Sequence, residues 1–185
     1  MSSFVSSRHS DVVFMLIVGA SKAARAAIAL HLGAYPTALL DQLVEHRCSV
    51  RPLRACERYR DASKALQRLG VDVDAWPVPP AGLFVVEERT VYLRSLSAKT
   101  VGHEVAHAID CALGGGVYRI GFDPKIHSAF ASARAFVTPY AACGLDEYSA
   151  ESVRAHAGVD DISLWPAATS RAWLSSAFPA HMTAF

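Results

Sequence analysis

One five-residue stretch, His103-Glu104-Val105-Ala106-His107, limits the fold of this 185-residue chain more than any other feature. At about 100° per residue, positions four apart on an α-helix lie roughly 40° apart, so the two imidazoles leave one face a turn apart and can share a metal ion. Glu104 stands about 100° round from His103, within reach of a metal-bound water but outside the ligand pair, which is the placement a general base needs. Only a helix gives this geometry, and the flanks supply one. Ser97 is a suitable N-cap, Val101, Val105, Ala106, Ala108 and Ile109 give an apolar setting, and Gly114-Gly115-Gly116 stops the helix after about Leu113.

Such a helix needs a core around it. Hydrophobic residues make up 52% and charged residues 19% of the chain, too apolar for a disordered segment. The length predicts one domain spanning 1–185, with 1–90 as an N-terminal strand and helix part and 91–157 carrying the chemistry. Lys plus Arg number 18 against 17 Asp plus Glu without a basic run, so no nucleic-acid partner is expected. No apolar run reaches the roughly 20 residues a transmembrane helix needs.

Val12 to Val18 reads as a buried strand. The same run resembles the core of a signal peptide, but Asp11 precedes it and only Arg8 lies upstream. With no C-x-x-C among Cys48, Cys56, Cys111 and Cys143, the expectation is a soluble protein with free thiols, cytoplasmic slightly ahead of secreted.

Ser21 caps a helix to about Leu32, Pro36 opens a second one ending near His46, and Cys48 to Leu53 forms a short strand. Arg60 to Leu69 is a helix closed by Gly70, and Pro77, Pro79 and Pro80 make an extended crossing. Leu83–Val86 and Thr90–Leu93 pair as a hairpin, with Thr90–Leu93 as an edge onto which an extended peptide can add. Helices follow over Pro124–Val137 and Asp146–His156, with a weak one over Pro166–Ala177. The sum is an α+β domain.

A catalytic zinc takes three protein ligands and one open position. Glu147 and Glu151, again four apart, offer carboxylates on one helical face. One can bind the metal while the other accepts a ligand imidazole N–H. Asp110, about 20° from His103 on the helical wheel, either orients a ligand or pairs with an arginine.

Thr100-Val-Gly-His103-Glu104-Val-Ala-His107-Ala-Ile-Asp110, then Thr138-Pro-Tyr140, then Glu147-Tyr-Ser-Ala-Glu151 resembles the catalytic core of the lethal-factor-like zinc metallopeptidases, which include Pro-Pro endopeptidases. The likeness covers about Tyr92 to His156. It implies a zincin-like fold, Zn2+ held by His103, His107 and Glu147, and Glu104 as the base acting on a zinc-activated water. It further implies Glu151 behind the ligands, Tyr140 as hydrogen-bond donor to the oxyanion, and a peptide or protein substrate. Ser149 departs from the pattern, which usually carries an aromatic there. Two other readings of the residues are a binding module in which the metal is a staple, and a zinc hydrolase of a non-peptide amide.

Other residues read as structural. His31 and His46 lack a partner at ligand spacing, while His127 and His156 sit on helices that can border a cleft. Cys143 reads as a small buried residue rather than an inhibitory thiolate, and Trp76, Trp165 and Trp173 as core or edge anchors.

Overall fold

Burial of the 98–113 helix organises the molecule. A computed structural model describes residues 2–159 in the order α1 (Ser2–Leu16), α2 (Lys22–Leu32), α3 (Thr37–Glu45), β1 (Ser49–Pro52), α4 (Tyr59–Ala62), α5 (Lys64–Leu69), β2 (Gly82–Val85), β3 (Thr90–Leu93), α6 (Ala98–Leu113), α7 (Pro124–Ser132) and α8 (Leu145–Ala157). The sheet is small and mixed, ordered β1-β3-β2, with β1 parallel and β2 antiparallel to β3. This is the α+β architecture the sequence predicts.

The sheet separates two apolar clusters. Val50, Phe84, Val91 and Leu93 share one with Val101, Val105 and Ile109 of α6 and with α1–α3, while Val85 and Tyr92 join Tyr59 and Leu66 in the other. Every residue from Val101 to Ala112 is buried, because the sheet, α2, α3 and α8 all pack on α6. Ser97 caps α6 by accepting the Thr100 N–H, and Gly114 ends it. Gly102 lets α8 approach: a Cβ there would lie 2.7 Å from Arg154 Cγ and 2.8 Å from Val159 Cγ1.

Several expectations need correction. Val12 to Leu16 closes a helix rather than forming a strand, and strand-like contact begins only at Ile17, which bridges Val50. Val12, Val13 and Leu16 face the core while Phe14 and Met15 are exposed, a helical division that a continuous apolar run conceals. The 60–69 helix divides at Ser63, whose hydroxyl accepts the Leu66 N–H and caps α5. α7 stops at Ser132, short of Val137. Thr90–Leu93 is the central strand, not an edge, since β1 returns from far upstream to pair with it. Trp76 is exposed rather than core. The weak helix over Pro166–Ala177, with Trp165 and Trp173, lies outside the described residues. Among the described residues no helix is long and apolar enough to cross a membrane.

Candidate metal centre

Four residues apart on α6, His103 and His107 turn their Nε2 atoms to within 3.1 Å of each other. Glu147, in the first turn of α8, places Oε2 at 3.0 Å from His103 Nε2 and 3.8 Å from His107 Nε2. Zinc ligands at about 2.0–2.1 Å in a tetrahedron stand roughly 3.3 Å apart, and these three separations bracket that figure. Glu147 Oε2 is buried and, apart from its approach to the two imidazoles, has no hydrogen-bond partner. An orphaned anionic oxygen between two imidazole nitrogens is the environment a divalent cation satisfies. Burial would raise the Glu147 pKa, but the two imidazoles outweigh it and hold the carboxyl near 2. Among the described residues these three side chains form a group able to hold a metal.

Behind His103 and Glu147 lies a closed network. His103 Nδ1 meets Glu151 Oε1 at 2.9 Å, and Glu151 is fully buried. Its Oε2 accepts from Thr138 Oγ1 at 2.7 Å and from Arg154 Nη2 at 2.9 Å. Arg154 Nη1 donates to the Val159 carbonyl, which closes the end of α8. A carboxylate on the far ring nitrogen fixes the tautomer that leaves Nε2 free to ligate. Burial alone would lower the His103 pKa, but Glu147 and Glu151 push it up to about 9. Burial also raises the Glu151 pKa, yet His103, Arg154 and Thr138 hold it far below the carboxylate range.

Glu104 is buried beside the pair, and burial raises its pKa while His103 and His107 pull it back. β2 crosses directly above. A Cβ on Gly82 would stand 2.5 Å from Glu104 Cγ, so any larger residue would displace the Glu104 side chain or lift the strand. Tyr140, 48% exposed, donates from its hydroxyl to Glu147 Oε1 at 3.1 Å, with its ring 5.6 Å from that of His103. Burial and the adjacent Glu147 carboxylate raise its pKa, so the phenol keeps its proton.

His103, Glu104, His107, Tyr140, Glu147 and Glu151 are therefore brought together. Asp110 is elsewhere: its carboxylate accepts the Ile120 N–H at 3.3 Å and faces Arg119 at 4.0 Å, anchoring the turn after α6. His127 caps the Ile120 carbonyl, and His156 lines a separate apolar cavity of about 200 Å³ with Tyr35, Leu39 and Ile109. Cys143 is exposed rather than buried, and the four thiols are free.

Sequence reasoning overlooked Arg154 and Tyr118, and quoted Thr138 in the motif before Tyr140 without giving it a role. Arg154 had a signal in its spacing, three residues after Glu151 on the same helix. Tyr118, whose ring packs edge-on to His107 at 5.8 Å and Phe84 at 6.3 Å, had none.

A helix carrying a His pair beneath a small mixed sheet, with a carboxylate from a later helix, is a zincin-like arrangement within an α+β fold. Among solved structures, the chain is similar to the Pro-Pro endopeptidase PPEP-2 from Paenibacillus alvei, with a TM-score of 0.63 and 19% identity over 93% of this chain and 96% of that one. No protein-family model and no curated protein matches the chain.

Proposed function

We propose that this chain is a zinc-dependent metalloendopeptidase acting as one domain whose catalytic part spans 91–157. The observation that carries the reading is the convergence of His103, His107 and Glu147 nitrogen and oxygen atoms within 3.0–3.8 Å, with a buried Glu104 and a protonated phenol at its border. Bound by these three ligands, zinc supplies Lewis acidity that lowers the pKa of water from about 15.7 to about 7. Glu104 takes the proton from the attacking water and passes it to the leaving amine. Tyr140 swings its hydroxyl bond from Glu147 to the oxygen that gains charge as the carbonyl becomes tetrahedral. The open side of β2 offers main-chain groups to an extended peptide. That edge, not β3, lies above Glu104.

Peptidase chemistry is favoured over a non-peptide amide because the similar solved structure is itself an endopeptidase. The staple reading needs a fourth protein ligand, and the metal-ready group among the described residues holds three. The test is turnover on a peptide library digested by the purified protein. Glu104→Gln is expected to lower kcat by about 10²–10⁴-fold, and Tyr140→Phe by about 10²–10³-fold, both with metal retained. Undiminished cleavage by Glu104→Gln contradicts the assignment.

A further inference from the structure

A polar cavity of about 350 Å³ opens past the ends of β1 and β3, lined by Arg54, Cys56, Glu57 and Arg58 of the loop after β1 and by Asp74 and Arg94. Its carboxylates are already engaged. Glu57 accepts Arg51 Nη2 at 2.6 Å through Oε1 and the Arg54 N–H at 2.8 Å through Oε2. Asp74, with a side chain only 8% exposed, takes Arg94 on Oδ1 and the Tyr59 N–H on Oδ2, with Arg58 Nε at 3.9 Å. The guanidiniums are not used up. Arg58 also pairs with Asp72, yet the side chains of Arg58 and Arg94 remain 49% and 41% exposed, and Arg54 forms no ion pair among the described residues. Asp74 thus holds Arg94 and faces Arg58 while both guanidiniums stay part-exposed, and Arg94 is further steadied 4.9 Å above the Tyr59 ring.

The cavity adjoins the candidate active site. Tyr59 donates its hydroxyl to the Pro80 carbonyl, the Arg94 N–H donates to Ala81, and the next residue, Gly82, lies against Glu104. A peptide extended along the open side of β2 and continuing past Gly82 runs toward Arg94, whose N–H bonds the residue before Gly82. On the metalloendopeptidase reading, we propose that this cavity is a specificity subsite for an acidic side chain of the peptide lying along β2.

The experiment uses the full-length Glu104→Gln protein, to prevent turnover, and calorimetric titration with a blocked hexapeptide containing two glutamates, its glutamine counterpart and inorganic phosphate. The glutamate peptide is expected to bind about fivefold tighter at low salt, with the preference shrinking as ionic strength rises and falling below twofold when Arg54→Gln is added. Arg94→Gln exposes Asp74, so Arg54→Gln, at an exposed residue, is the variant that guards against a folding defect. Equal affinity for both peptides overturns the proposal, as does a preference that survives both arginine substitutions. Phosphate binding without peptide discrimination also overturns it, in favour of a free-anion site. Wild-type cleavage without glutamate preference removes the subsite and keeps the peptidase, whereas glutamate preference in a protein that cleaves nothing keeps the subsite and removes the peptidase.

Discussion

Glu151 shows how much one buried carboxylate can settle. It accepts hydrogen bonds from Thr138 and Arg154 while holding His103 Nδ1, so it joins both elements of the site and fixes an imidazole tautomer. Removing one partner of a buried ion pair typically costs about 3–5 kcal/mol, because the other charge remains. Glu151→Ala therefore mixes a folding loss with a metal effect. Glu151→Gln keeps the volume and one acceptor, and is expected to weaken zinc binding by about 10–100-fold, as measured by competition with a chromophoric chelator. Unchanged affinity would assign Glu151 to stability alone. The placement of His103, Glu104 and His107 is legible in the sequence because it follows from helical angles. Arg154 is less so, since nothing in the chain foretells that its guanidinium is buried.

Elements were legible where a cap or a stop marked them. α2, α6 and the β2–β3 hairpin fall where Ser21, Ser97, the glycines and the polar turn put them. α1 was misread because an unbroken apolar run has no period, and β3 was misread as an edge because pairing with β1 spans some forty residues that no local signal encodes. The short α5 has a carboxylate at its start: Glu88 Oε1 accepts the Ala65 N–H at 2.9 Å, and Oε2 the Tyr92 hydroxyl at 2.7 Å. Burial would raise the Glu88 pKa, but these bonds outweigh it and lower it. A lowered folded pKa means stability that is present above the unfolded value near 4.5 and lost as pH falls through the folded one. Glu88→Gln is expected to destabilise by about 1–2 kcal/mol at pH 7 and to approach wild type below pH 4, as read by urea denaturation. A deficit that persists at low pH would point to packing instead.

At the scale of the whole molecule, the site exists only because α8 docks on α6. Gly102 permits the approach, Tyr35 ties the turn before α3 to the Gly102 carbonyl at 2.9 Å, and Arg154 closes the end of α8 onto Val159. Forty residues separate His107 from Glu147, so their meeting is a property of the fold. The helical pattern shows that both faces carry ligand-type side chains, but not that they converge. On the metalloendopeptidase reading, metal binding and docking are coupled. The most direct measurement is zinc content by mass spectrometry after exhaustive dialysis of the wild-type, Glu104→Gln and His107→Ala proteins. About one zinc per chain is expected in the first two and less than a tenth of that in the third. A wild-type protein that holds no zinc, or a His107→Ala protein that keeps it, would contradict a centre built from His103, His107 and Glu147.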